Sequence, residues 1–449
     1  MKFKEECGVF GGIIFNGNIA PIIKEGLYML QHRGQENAGL CCGDDNMSII
    51  KGKGLVHEVL LDNLIENLEG KSGIGHVRYS TQGNSDDIHA QPFMIRYMNE
   101  QVSIAHNGNV SAAVLMRKEF EEQGEAFLTS SDTEIILKKV IRESKKPPSE
   151  WVLSEIGQIL SNNFTGGAWS LLFGFPGRIM AFRDPFGYRP LMFCEAKEGY
   201  FIASEDCAFQ NLNVTKLIEI QPGEALEVLP TGYKIEKITN AIYTKKCVFE
   251  HIYFAKPYSN IFGRNVYQAR VELGRACAVE NPVDADVIVP VMDSGFAAAI
   301  GYSQVSGIPL HMGLMRNHWE GRSFIQPDQK SRQNKVLRKL TPMVSVIKDK
   351  KIVLVDDSLV RGTTSREIVR MVKKAGAKEV HFRISAPRIV NTCEWGVDIP
   401  TKKELIANKF EKISDINNFI EADSLGFLSF DTLKEIFGNK GWCYRCFSG

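Results

Sequence analysis

An excess of charge of either sign is missing from this chain: 54 Lys and Arg stand against 53 Asp and Glu, and no dense basic block interrupts the mixture. A polyanionic backbone is gripped by such a block, so nucleic acid is excluded as an expected partner. Long hydrophobic runs are missing too. None approaches the roughly 18 residues that span a bilayer, which excludes a membrane-embedded protein of the helical type. The segment from Met1 to Glu6 is polar and charged and lacks the apolar centre of a secretory signal. A cytoplasmic protein is therefore expected, and its ten cysteines are better suited to metal binding or catalysis than to a disulfide framework. Internal repeats and low-complexity linkers are absent as well. What remains is 449 residues with 44% hydrophobic content, enough for two or three cored domains.

The texture changes near residue 240. Before it, short apolar runs such as Leu171-Leu172-Phe173 and Tyr200-Phe201-Ile202-Ala203 are separated by Gly, Asn and Asp turns, and helical stretches such as Glu134 to Val140 lie between them. This predicts stacked antiparallel sheets covered by helices. From about 280 the order becomes apolar strand, small-residue loop, helix: Val287-Ile288-Val289 runs into Asp293-Ser294-Gly295, and Ile352 to Val355 runs into an acidic and hydroxyl loop. Strands apolar on every residue are buried on both faces, so the second half is predicted to be α/β with a parallel sheet.

Cys7, followed by Gly8-Val9-Phe10-Gly11, is the first candidate nucleophile. A peptide nitrogen is no base because its lone pair is delocalised. Were the six preceding residues cut away, the α-amine of Cys7 would titrate at about 7.7–8.0 and accept the proton of its own thiol. Removal of Met1 alone leaves Cys7 internal, so the expected event is cleavage of a propeptide, residues 1–6, between Glu6 and Cys7. The plain alternative is a small core residue near a chain end.

Three segments have the chemistry to complete a site around Cys7. Arg78, in Gly75-His76-Val77-Arg78-Tyr79, can pair bidentately with an amino-acid carboxylate, and Asp132, in Ser131-Asp132-Thr133-Glu134, with its ammonium group. His106-Asn107-Gly108-Asn109 offers an amide side chain (Asn107) and a backbone N–H (Gly108) for the oxyanion formed when a thiolate attacks an amide. Taken singly, the last is also a turn sequence and Ser131–Glu134 also a helix cap. Together with Gln31-His32-Arg33-Gly34-Gln35 they occur in order, and the set resembles the glutaminase domain of the N-terminal-nucleophile amidotransferases over roughly residues 7–235. The resemblance implies a four-layer αββα sandwich and hydrolysis of glutamine through a thioester on Cys7.

The strongest single motif runs from Val353 through Asp356 and Asp357 to Arg361, Gly362, Thr363, Thr364 and Ser365. A buried strand delivers two carboxylates at its C-terminal edge, and a glycine and hydroxyl loop then opens a helix whose N-terminus attracts phosphate. This resembles the signature of the type I phosphoribosyltransferases, which implies that the loop grips a 5-phosphate and the acid pair the ribose, with Mg2+ near Ser294, Asp356 and Asp357. Residues 315–327 resemble the mobile loop that closes over substrate in that family and brings Arg322 toward the leaving pyrophosphate. Where that loop often reads Asn-Arg-Tyr, this chain has Asn317-His318-Trp319.

Both signatures on one chain resemble the glutamine phosphoribosylpyrophosphate amidotransferases, an α+β sandwich followed by an α/β domain over residues 236–449. The resemblance implies glutamine and phosphoribosyl pyrophosphate as substrates, ammonia channelled between the two sites, purine nucleotides as feedback inhibitors and a homotetramer. It also suggests that Tyr79 and the segment 251–257 couple the sites. The alternative in another class is a non-catalytic phosphoribosyl-binding regulator with a metal or oxygen sensor. Cys443 and Cys446 have metal-ligand spacing, which by itself favours zinc. The family resemblance adds Cys247 and Cys393 and implies a four-iron four-sulfur (4Fe-4S) cluster instead. Cys41, Cys42, Cys194, Cys207 and Cys277 are read as core residues.

Overall fold

The computed structural model describes residues 5–80, 87–240, 243–317 and 340–448. Strand Glu5–Ile14 shows how the first half is layered. Its even positions Phe10 and Ile14 pack into one core, with helix Ala20–Met29, while its odd positions Val9 and Ile13 enter a second core between two sheets. A period of two thus buries both faces of one strand in different places. Helix and strand meet closely, since a Cβ on Gly26 would lie 2.3 Å from the ring of Phe10.

Glu5–Ile14 is the fourth strand of an antiparallel seven-stranded sheet, between Gly199–Ala203 and Ser72–Ser80, with Asn37–Cys42 beyond the latter. The facing six-stranded sheet holds Glu100–Asn109 beside Ala168–Phe175. Its inner residues Ala105, Leu172 and Ala181 meet Val9, Ile13 and Ile74, and its outer residues Ile104, Leu171 and Phe173 pack under helices Asp132–Ser144 and Leu153–Asn163. The order helix, sheet, sheet, helix is the αββα sandwich expected from the first half.

The second half is built on four parallel strands in the order Val287–Pro290, Lys351–Asp356, Glu379–Ile384, Ser424–Phe427. Val287, Ile288, Val289 and Ile352 to Val355 are wholly buried, as apolar strands covered on both faces must be. Helices Val266–Glu280 and Phe296–Ser306 pack backbone to backbone. A Cβ on Gly274 would lie 1.9 Å from the Ala298 carbonyl oxygen, and one on Gly301 equally close to that of Val271.

The halves are joined by polar contacts rather than by a shared apolar core. A five-residue π-helix, Glu250–Phe254, puts the Glu250 carboxylate against arginines of the sandwich, and the N–H groups of Lys245 and Cys247 donate to the Phe186 and Tyr188 carbonyls at 2.8 and 3.2 Å.

Candidate active sites

Cys7, Arg78 and Asn107 come from three strands and meet because of side-chain parity. Cys7 shares the inward face of Val9 and Ile13, and Arg78, its direct cross-strand partner, shares the face of Ile74. Asn107 shares the face of Ala105 on the opposite sheet. All three sit at one end of the sandwich and are buried. Asn37 lies opposite Arg78 on the next strand, wholly buried, with neither polar atom of its side chain partnered among the described residues.

Ser204 ties two of the sheets' contributions together. Its hydroxyl oxygen accepts from the backbone N–H of Val9 at 3.0 Å and from Asn107 Nδ2 at 3.3 Å. His106-Asn107-Gly108-Asn109, readable as a turn in the sequence, is the end of the long strand Glu100–Asn109. Gly108 has φ +149°, and a Cβ there would lie 2.0 Å from the Ala168 carbonyl oxygen, so no larger residue fits against the neighbouring strand. Gly34 seats the Gln31–Gln35 segment in the same way, with a notional Cβ 2.5 Å from the Arg78 nitrogen.

Asp132 opens helix Asp132–Ser144, where Ser131 is the N-cap and accepts from Thr133 N–H. Burial opposes ionisation of Asp132, yet the His106 ring and the N–H groups of Val110 and Thr133 hold its pKa below the ordinary carboxylate value. Its Oδ2 accepts from Val110 N–H at 2.9 Å, and its Oδ1 lies 3.5 Å from His106 Nδ1. Asp132 is therefore a fixed negative charge at the end of strand Glu100–Asn109.

Behind Cys7 lies a buried ionic network. Arg33 Nε donates to the Cys7 carbonyl at 3.0 Å, and its terminal nitrogens reach Glu205 at 2.6 Å and Glu250 at 2.8 and 2.9 Å. Glu205 also accepts from His32, from Ser259 Oγ and from Lys256 N–H. Burial alone would raise both carboxylates. His32 and Arg33 instead hold Glu205 well below its ordinary pKa, and Arg33 and Arg189 do the same for Glu250. Ser204, Glu205, Glu250 and Arg189 carried no signal in the sequence, whereas His32 and Arg33 lay inside a motif.

In the second half, Asp356 ends the strand Lys351–Asp356 and Gly362, at φ +75°, caps the helix Thr363–Lys374. Asp356 Oδ1 accepts from Ser294 Oγ at 3.2 Å and from Asp357 N–H at 2.9 Å. Burial and the neighbouring Asp357 push the Asp356 carboxyl well above its usual pKa, an unfavourable pairing that a divalent cation would relieve. Thr363 and Thr364 are exposed at the helix start, Ser365 is buried, and Asp293 is ion-paired with Arg316. Arg361, just before Gly362, is exposed and pairs with Glu404 at 3.2 Å. Arg322, with the rest of residues 318–339, lies outside the described residues.

Cys247, Cys393, Cys443 and Cys446 come from three separate segments and act on one another. Burial, then the other thiols, raises the pKa of Cys446 far above normal; Cys443 is pushed to about 11 by burial and Cys393, and Cys247 also rises. The Trp395 N–H points at Cys393 Sγ at 3.3 Å, and Arg189 lies near Cys247 and Cys393. Four thiols with a nearby cation and an N–H donor have the chemistry of a thiolate-bound centre. Among the described residues no three His, Cys, Asp or Glu side chains lie close enough to share a single metal ion. Cys41, Cys42, Cys194, Cys207 and Cys277 are buried.

Comparison with known proteins gives each half a family. A glutamine amidotransferase domain model matches residues 76–211 and a phosphoribosyl transferase domain model residues 278–412. Amidophosphoribosyltransferase 1 of Arabidopsis thaliana, a chloroplastic protein, is 44% identical over all of this chain and 79% of its own length. The Methanocaldococcus jannaschii amidophosphoribosyltransferase is 42% identical over 99% of this chain and 97% of its own. A solved structure of the Bacillus subtilis glutamine phosphoribosylpyrophosphate amidotransferase complexed with ADP and GMP superposes with a TM-score of 0.89 at 40% identity, covering 99% of this chain and 96% of that one. With both catalytic halves matched over their whole length, the chain belongs to the amidophosphoribosyltransferases, the glutamine-dependent enzymes of purine biosynthesis that transfer nitrogen to phosphoribosyl pyrophosphate.

Proposed function

We propose that Cys7, exposed as a new N-terminus by loss of residues 1–6, attacks the glutamine amide carbon while its α-amine takes the thiol proton. Arg78 binds the substrate carboxylate, Asp132 its ammonium group, and Asn107 Nδ2 with Gly108 N–H the oxyanion. The tetrahedral intermediate collapses to a thioester on Cys7 and expels ammonia, which carries the proton away. Water then hydrolyses the thioester to glutamate. The observation that carries this reading is the meeting of Cys7, Arg78 and Asn107 on facing inner faces, with Ser204 bonded to both sheets.

Ammonia passes through an internal, largely apolar channel and attacks C1 of the ribose as the bond to pyrophosphate breaks, giving 5-phosphoribosylamine. Asp356 and Asp357 hold the ribose, Gly362 to Ser365 hold the 5-phosphate, and Arg361 and Arg322 bring cationic charge to the bound phosphates. Mg2+ held by Ser294, Asp356 and Asp357 would supply charge neutralisation to the pyrophosphate. The mutual effect of the four thiols supports a 4Fe-4S cluster on Cys247, Cys393, Cys443 and Cys446, with zinc as the other candidate. Nucleotide binding by the Bacillus subtilis enzyme supports purine nucleotides as regulators here. The active form is taken as a cytoplasmic homotetramer, and no helix among the described residues is long and apolar enough to cross a membrane.

The test is a pair of substitutions assayed with two nitrogen donors. Cys7→Ala abolishes product formation from glutamine and leaves that from free ammonia, whereas Asp357→Asn impairs both. Glutamine use that survived Cys7→Ala would refute the mechanism.

A further inference from the structure

The turn Cys393-Glu394-Trp395 belongs to the phosphoribosyl half, yet its hydrogen bonds end in the glutaminase half. Asn109 Nδ2, two residues beyond Asn107, donates to the Glu394 carbonyl at 2.6 Å. The Trp395 indole N–H donates to the Gly166 carbonyl at 2.8 Å, just before the strand that pairs with the oxyanion segment. The Trp395 ring stacks on Tyr188 with centroids 4.9 Å apart.

A second line of contacts reaches the nucleophile. Arg189 donates to the Trp395 carbonyl at 2.8 Å and to Glu250 at 2.9 Å; Glu250 accepts two bonds from Arg33; and Arg33 donates to the Cys7 carbonyl. Every side chain of that line is buried. Low dielectric strengthens such bonds, and the two arginines of the line are balanced by Glu250 and by Glu205, which also pairs with Arg33. Both partners of the chemistry, sulfur strand and oxyanion strand, are thus tied to one three-residue turn that also carries a thiol of the cysteine centre.

We propose that this turn is a strut that sets the distance between Cys7 and the oxyanion donors, making Trp395 and Arg189 positioning residues for glutamine hydrolysis supplied through the interface between the halves. The proposal rests on the roles given above to Cys7, Asn107 and Gly108. An error in strand position of an ångström or less is enough to lower the rate of the chemical step while leaving substrate binding nearly intact. The two donors of nitrogen separate this effect from general damage, because synthesis from free ammonia bypasses the glutaminase site.

Trp395→Phe keeps the stacked ring and deletes the indole donor, and Arg189→Lys keeps the charge and deletes the fork that joins Trp395 to Glu250. In the full-length enzyme each is expected to lower kcat for glutamine hydrolysis by about tenfold or more, with KM for glutamine within about twofold and ammonia-dependent synthesis unchanged. Hydrogen exchange read by mass spectrometry is expected to quicken in peptides covering residues 100–110 and not in those covering 351–356. Parallel loss of both activities, or unchanged kcat in both variants, overturns the proposal. If Arg189→Lys does not fold, Trp395→Phe decides alone. Asn107→Ala, assayed alongside, separates the two readings: if it leaves glutaminase intact the oxyanion assignment fails, and if it destroys glutaminase while Trp395→Phe is neutral only the strut fails.

Discussion

At Ser204 a single hydroxyl accepts from Val9 N–H, on the strand of Cys7, and from the Asn107 amide of the facing sheet at once. Ser204→Ala leaves the Val9 N–H and the Asn107 amide without that acceptor, at a cost of about 1–3 kcal/mol for a buried group. The expected outcome is a lower melting temperature together with about a tenfold fall in glutamine-dependent kcat, greater than any fall with ammonia. A second residue-scale consequence concerns acid. His76 is wholly buried, donates from Nε2 to the His106 carbonyl at 3.0 Å, and has its pKa lowered to about 3, chiefly by burial. The unfolded ring takes a proton near pH 6.5 and the folded one only near 3, so its stabilisation is full above about 6.5 and is lost as pH falls through that window. Denaturant titrations across the window should show His76→Gln with an acid-side slope shallower by up to about 1.4 kcal/mol per pH unit.

Among the elements, the strand–loop–helix from Lys351 to Lys374 concentrates the phosphoribosyl chemistry. It was legible as a unit because its parts are adjacent: an apolar strand, two acids, a glycine and four hydroxyls in one short stretch. Gly362 is required at its φ of +75°, where an L side chain is strained, and a Cβ would lie 2.3 Å from Ile406 Cδ1. Gly362→Ala is expected to raise KM for phosphoribosyl pyrophosphate with either nitrogen donor by about tenfold, measured by pyrophosphate release, since both the cap and the phosphate loop must shift. The end of strand Glu100–Asn109 was less legible. Its Asn and Gly residues have the composition of a turn, and only pairing with Ala168–Phe175 holds them extended.

For the molecule as a whole, backbone pairing brings Cys443 beside Cys247 and ties Cys446 to Val390 and Asn391, close to the junction of the halves where the cluster is proposed. Protein purified without oxygen is expected to contain iron and acid-labile sulfide with visible absorption, and a colourless, zinc-containing product would refute the iron–sulfur assignment. Intact mass of the same sample tests the loss of residues 1–6. Removal of the bound metal by chelation should lower the melting temperature of the whole chain, because binding energy at converging ligands is folding energy. Glu250, Arg33 and Arg189 form a buried ionic link between the halves, so stranding one of these charges by substitution is expected to cost about 3–5 kcal/mol.

Residues near one another in the chain needed nothing beyond their order. Cys7 near a potential new amine, Arg78 at the end of an apolar run, the acid pair before a phosphate loop and the thiols at 443 and 446 have their chemistry written locally; apolar patterning gave stacked antiparallel sheets and then α/β, while the four-layer αββα order came from the family resemblance. Tertiary structure alone decided which distant groups serve those sites. Arg33 and Glu205 are 172 positions apart, and Asn109 and Glu394 are 285 apart. Arg33 and Asn109 lie inside motifs, yet nothing local names Glu205 or Glu394 as their partners, and a buried charge becomes meaningful only when folding brings its partner within reach and removes the water between them.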